Sequence, residues 1–198
     1  MRIIGITGGV GSGKTAILNQ IKDLYNCEVI YADEAAHLLK EPGRACYPAL
    51  IDLLGQRILD ADGRINRAKM AEIIFADERL LAKVNQIIHP AVKKYIEDEI
   101  AVLKEKNEIG LLFIEAALLI EDGYDKIVDE LWYIYADAEV RLKRLQEKRG
   151  YSFAKARKIM ESQLTDDLFR SRCQVVIDNS QETDFALKQI ELMLSNGL

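Results

Sequence analysis

Gly8-Gly9-Val10-Gly11-Ser12-Gly13-Lys14-Thr15 follows the spacing glycine, four residues, glycine, lysine, serine or threonine. Before it, Arg2-Ile3-Ile4-Gly5-Ile6-Thr7 is apolar and β-branched and predicts a buried strand. After it, Ile17, Leu18, Ile21, Leu24 and Tyr25 recur at helical spacing through Ala16–Tyr25. A strand, a glycine loop and a helix in that order are the setting in which this motif binds phosphate. Glycines admit backbone angles that a Cβ forbids and let amides approach phosphate oxygens. Amides at a helix start form a concave anion site. Lys14 adds a cation for the outer phosphates, and the Thr15 hydroxyl is a ligand for Mg²⁺.

Further apolar runs, Cys27–Asp33, Leu111–Ile114, Leu131–Tyr135 and Gln174–Asp178, predict four more strands separated by helical patterns. Unbroken apolar runs suit strands covered on both faces, and the β-α-β order implies a doubly wound parallel α/β sheet. About seventy-five residues, mostly helical in pattern, lie between the second and third runs, far more than an ordinary crossover needs. Glu41-Pro42-Gly43-Arg44 breaks the chain there and Asp60-Ala61-Asp62-Gly63 is a turn signal. Pro90 suits a first helical turn, so a helix is expected to start at Pro90, with Val92, Tyr95, Ile96, Ile100 and Leu103 on one face. The stretch at about 37–106 reads as a helical insert in a single domain of residues 1–198.

The chain has 198 residues, 49% of them hydrophobic and 30% charged, enough to bury a sizeable core. Its net charge of −5 argues against gripping nucleic acid as a main task. Cys27, Cys46 and Cys173 form no CxxC pair and no metal cluster, and reduced thiols in the cytoplasm are expected. No secretory segment, membrane span or internal repeat is evident.

Asp33 is expected to end the second strand, at the carboxyl edge where doubly wound sheets bind ligands. There it can orient an attacking hydroxyl and take its proton, cap the following helix, or do both. Glu115 and Glu121 are further carboxylates that could hold Mg²⁺ through water. Of the two histidines, His37 reads as structural, while His89, at the expected helix start, can face an acceptor. From Asp137 to about Leu168 runs a basic helical stretch in which Arg141, Arg144 and Lys148 share a face. Such a run is ordinarily a solvated surface, but beside a phosphate loop its arginines suit a migrating phosphoryl group. The break Lys148-Arg149-Gly150-Tyr151-Ser152 reads as the hinge of a lid at about 141–168.

Taken in order, these residues resemble the dephospho-CoA kinase family over nearly the whole chain. The resemblance is carried by Ile4–Thr15, Val29-Ile30-Tyr31-Ala32-Asp33, Glu41-Pro42-Gly43 and Asp62-Gly63-Arg64-Ile65-Asn66-Arg67. It continues through Ile88-His89-Pro90, Leu118-Leu119-Ile120-Glu121, Leu142-Lys143-Arg144-Leu145, Gln163 and Val176-Ile177-Asp178-Asn179-Ser180. The resemblance implies a three-layer P-loop (Walker A) kinase fold, similar to nucleoside monophosphate kinases, with an acceptor-binding insert and a lid. It implies transfer of the ATP γ-phosphoryl group, with Mg²⁺, to the ribose 3′-hydroxyl of dephospho-CoA, the last step of coenzyme A biosynthesis. Carried over, Gly11, Ser12, Gly13, Lys14, Thr15 and Ala16 bind the ATP phosphates, with Lys14, Asp33 and Arg144 catalytic. Asp33 and His89 meet the acceptor, Arg144 belongs to the lid, Asn179 lies near adenine, and Thr15 ligates the metal. Ala117 stands where the family usually has proline, the usual second lid arginine falls on Lys148 with Arg149 next, and Ile159 replaces a frequent basic residue. The expected partners are these two small molecules, with no nucleic acid or membrane, in a monomer or weak homo-oligomer. Two other readings are a kinase of this fold for another small acceptor, such as a nucleoside monophosphate or shikimate, and a nucleotide-dependent switch. The Asn-Lys-x-Asp guanine signature of switch GTPases is absent from the sequence.

Overall fold

A computed structural model describes residues 1–116 and 118–195. They form two compact units, one of residues 1–29 and 107–195 and the other Ile30–Lys106. The first unit carries β1 (Arg2–Thr7), α1 (Lys14–Leu24) and the start of β2 (Cys27–Tyr31). The second holds α2 (Ala32–Leu38), α3 (Tyr47–Leu54), α4 (Arg67–Phe75) and α5 (Glu78–Lys106). The chain then returns to the first unit with β3 (Leu111–Glu115), β4 (Glu130–Tyr135), α6 (Ala138–Arg149), α7 (Phe153–Glu161), α8 (Asp166–Arg172), β5 (Val175–Asp178) and α9 (Thr183–Ser195).

The sheet order is β2-β3-β1-β4-β5, and β1 pairs in parallel with both β3 and β4, Ile4 opposite Phe113 on one side and Glu130 on the other. The three central strands are the apolar runs of the sequence, and burial explains their composition. Ile4, Ile6, Phe113, Trp132 and Ile134 on one face, and Thr7, Leu112, Ile114 and Tyr133 on the other, are all but fully buried, so both faces of these strands are covered. From β1 the chain moves toward one edge, and from β3 it crosses to the other. This is the doubly wound pattern, which right-handed crossovers turn into helical layers on both faces. The reversal falls between β1 and β3, whose carboxyl ends are where such sheets bind ligands.

Within the second unit, α2 and α4 pack on α5. Buried Val84, Val92, Ile96 and Ile100 form the inward stripe of that 29-residue helix. The helix does not start at Pro90, which lies in its interior. Its start is fixed by Asp77, whose carboxylate accepts the Arg79 and Leu80 N–H groups at 2.8 and 3.3 Å. Proline is tolerated at this point because Pro90 is exposed, as is Gln86, so the carbonyl deprived of its donor faces solvent. Among the described residues, no helix is long and apolar enough to cross a membrane.

Candidate active site

The glycine loop links Thr7, the last residue of β1, to Lys14, the first of α1. Gly13 stands at the helix cap in the left-handed region, with φ 94° and ψ 16°. No side chain fits there: a Cβ would run into the Asn179 amide. Gly9 is constrained differently, since the Arg141 guanidinium lies where its Cβ would be. The first bond of α1 runs from Ile17 N–H to the Gly13 carbonyl at 3.1 Å. Amides ahead of it, including those of Thr15 and Ala16, therefore have no carbonyl to meet inside the helix. The helix dipole adds partial positive charge at the same spot.

Lys14 Nζ donates to the Gly8 carbonyl at 2.7 Å and lies 3.8 Å from Glu115 Oε1 at the end of β3. Both side chains are 13% exposed, so this pair is screened less than a surface one. The Ser12 hydroxyl is buried without a hydrogen-bond partner, and Thr15 is exposed in the first helical turn. These donor types suit a triphosphate with Mg²⁺. That ion takes hard oxygens, one or two from protein and the rest from phosphate and water, and needs no protein cage. None of three or more His, Cys, Asp or Glu exists among the described residues.

Two elements brace the loop from behind. Asn179, 2% exposed at the end of β5, donates from Nδ2 to the Ser12 carbonyl at 2.7 Å. Arg144 on α6 donates to the carbonyls of Ser12, Asn179 and Gln181 at 3.2, 2.9 and 3.4 Å. Arg141, one turn earlier and 7% exposed, donates from Nε to the Val10 carbonyl at 2.9 Å. Gln163 accepts the Val10 N–H at 2.7 Å and an Arg141 Nη2–H at 3.3 Å. Asp166 lies 3.8 Å from Arg141 and accepts the Tyr133 hydroxyl at 2.5 Å. Burial first, and that carboxylate second, push the Tyr133 phenol far above its ordinary range. The shared helical face of Arg141 and Arg144 was visible in the sequence, but its target, the loop backbone, was not. Lys148 and Arg149 are exposed in the last turn of α6. Gly150 follows in the left-handed region (φ 62°) and the Ser152 hydroxyl caps α7 by accepting the Lys155 N–H.

In the second unit, Asp33 does not end a strand. Strand β2 stops at Tyr31, and Asp33 is the second residue of α2, exposed in its first turn. Nor does it cap that helix, because the cap position is Tyr31 and no side chain bonds there. The helix starts two residues earlier than the apolar run suggests, and its dipole favours a carboxylate in that turn. In the same unit, a cavity of about 240 Å³ is lined by His37, Lys40, Glu41 and Arg67 with Met70, Ile74 and Phe75. Burial, and then the cations Lys40 and Arg67, hold the His37 imidazole below its ordinary pKa. Burial and Arg67 likewise lower Lys40. Basic side chains that outnumber the one carboxylate, set on an apolar wall, suit an anionic group attached to an apolar arm. The sequence reading missed Lys40 and Arg67. The signal for Arg67 was its place in the Asp62–Arg67 run. His89 lies in the middle of α5 beside Ile88, which lines the cavity whereas His89 does not. Glu121 is exposed. Ala117, the departure from the expected proline, lies outside the described residues.

Comparison with known proteins points one way. A family profile described as Dephospho-CoA kinase matches residues 2–184. A dephospho-CoA kinase of Corynebacterium diphtheriae is 36% identical over 184 residues, covering 93% of this chain and 91% of the relative. The solved structure of TT1252 from Thermus thermophilus superposes with a TM-score of 0.82 at 25% identity, covering 98% and 97% of the two chains. A dephospho-CoA kinase structure from Campylobacter jejuni has the same fold, with a TM-score of 0.72 at 22% identity, over 98% and 96%.

Proposed function

The chain belongs to the dephospho-CoA kinase family, and on that premise we propose how its residues divide the transfer of the ATP γ-phosphoryl group to the 3′-hydroxyl of dephospho-CoA. The observation that carries the proposal is the loop itself, with its left-handed Gly13, its inward lysine and the Thr15 and Ala16 amides that precede the first hydrogen bond of α1. The amides of Gly11 to Ala16 and the Lys14 ammonium hold the β- and γ-phosphates and stabilise the charge that develops between them. Lys14 then exchanges the Gly8 carbonyl and Glu115 for phosphate oxygens. Thr15, with Glu115 through water, would hold Mg²⁺, which supplies charge neutralisation across the β- and γ-phosphate oxygens when bound.

Asp33 orients the 3′-hydroxyl and accepts its proton as the oxygen attacks in line. The chemistry asked of the protein is mostly positioning. His37, Lys40 and Arg67 receive the pyrophosphate of the acceptor while Met70, Ile74 and Phe75 receive its apolar arm, and His89 lies on the acceptor side. Arg144, held on three carbonyls, presents its remaining charge to the phosphates, and Asn179 carries the adenine side of the loop. Within residues of about 141–168, the part between the loop anchors Arg144 and Gln163 forms a lid hinged at Gly150, which brings Lys148 or Arg149 over the nucleotide. The free thiols of Cys27, Cys46 and Cys173 support a cytoplasmic enzyme.

The test is ADP release coupled to a reporter, with dephospho-CoA, shikimate and nucleoside monophosphates offered in turn. Release that depends on dephospho-CoA, with CoA as product, is expected. Faster turnover of another acceptor, or equal release with none, overturns the assignment.

A further inference from the structure

Two consecutive peptide planes at the crest of the loop are gripped by side chains from far along the chain. The Gly9–Val10 plane is held at both ends: its carbonyl accepts the Ser12 N–H at 3.1 Å, and its N–H donates to Gln163 Oε1 at 2.7 Å. The Val10–Gly11 plane is held at its carbonyl by Arg141 Nε at 2.9 Å. A trans peptide points its N–H opposite to its carbonyl. The Gly11 N–H is therefore turned away from the Arg141 guanidinium. Gln163 and Arg141 also hold each other at 3.3 Å, and both neighbours of Gln163 Oε1 are donors, which fixes the amide with its oxygen facing the loop. Arg141 is nearly buried and paired with Asp166, so this anchor is stiff. Gln163 touches none of the reacting groups assigned above. It follows α7, beyond the Gly150 break, and is the only residue of that connection bonded to the loop among the described contacts.

We infer that Gln163 is a positioning residue for phosphate binding: with Arg141 it locks the Val10 peptide planes so that the Gly11 amide is aimed before ATP arrives. The inference rests on the reading that this loop holds ATP. Pre-aimed donors need no reorganisation when the anion binds, so the effect falls on ATP and spares the acceptor. Removing the acceptor oxygen also leaves a half-buried N–H unmet and takes one acceptor from Arg141, whose Nε and Asp166 contacts remain.

The experiment compares the wild type with Gln163→Leu and Gln163→Glu, the second of which keeps an oxygen for both donors. ATP affinity is read by titration, the KM for dephospho-CoA by the coupled assay, and the Val10 amide by hydrogen exchange. Gln163→Leu is expected to weaken ATP binding roughly tenfold, as the competent arrangement of the loop falls to about a tenth of the population. The KM for dephospho-CoA stays unchanged and exchange at Val10 accelerates while the β1 amides remain protected. Gln163→Glu is expected to restore most of the affinity. Wild-type binding of ATP with an unaffected Gln163→Leu variant overturns the inference alone. So does a variant in which both substrates weaken together as protection of β1 is lost, or a Glu variant as weak as the Leu one. A wild-type chain that binds no ATP overturns the reading and the inference together.

Discussion

A single methyl group at Gly13 is expected to do more harm than most truncations in this chain. Alanine there must hold φ near 94° and drive its Cβ against the Asn179 amide that braces Ser12. Gly13→Ala should lose about 1–3 kcal/mol of stability in urea unfolding, with ATP affinity falling alongside. Lys14 and Asp33 should separate by what they leave intact. Lys14→Ala is expected to lower kcat about 10²- to 10³-fold. Asp33→Asn should lower it about 10²- to 10⁴-fold while ATP still binds, which titration beside turnover measures. His37 sets a pH dependence. Burial and two cations hold its folded pKa below 6.5, so the unfolded chain takes the proton first as pH falls. Stability is then full above that value and declines as pH drops through it toward the folded pKa, a slope that His37→Gln should flatten in unfolding curves. At this scale the loop was fully legible, because its spacing is a local code. Asp33 was legible as a residue but not in its setting, since nothing local says that α2 begins at Ala32. The grip of Arg141 and Gln163 on Val10 was hidden, because it joins positions more than a hundred residues apart.

Among the elements, the central strands were the most readable. Burial on both faces demands continuous apolar runs, and β1, β3 and β4 fall within a residue of the runs that announce them. Helix α5 was the least readable. Proline is a strong start signal, but its cost inside a helix depends on whether the orphaned carbonyl meets solvent, which is a tertiary fact. The competing signal, Asp77, was present and is the one the fold obeys. Replacing Pro90 by alanine restores a donor to the Gln86 carbonyl without touching the buried stripe. The variant should gain roughly 1–2 kcal/mol, the helix-interior benefit less the looser unfolded chain, read from thermal unfolding. Failure to gain would mean that the helix is bent for a packing reason at this point.

For the whole molecule, ligand linkage gives the simplest check on the nucleotide site. ATP at a hundred times its Kd should add about 2.7 kcal/mol to the unfolding free energy. For a chain of this size, that raises Tm by roughly 5–10 °C in thermal melts. The division into two units was legible only as an overlong helical stretch, because chain contacts rather than composition define where one begins. That division also orders events during synthesis. Ile30–Lys106 is contiguous, so all its packing partners leave the ribosome together. Strand β1 is translated first yet pairs with Leu111 and Glu130, and the amide that steadies Ser12 comes from Asn179. At about 5–20 residues per second, the opening strand waits roughly ten to thirty seconds for its last brace. Until β3 and β4 have emerged a nascent chain carries an apolar, unpaired Arg2–Thr7 segment, and even after the strand has paired the loop behind it still lacks the Asn179 amide that steadies Ser12.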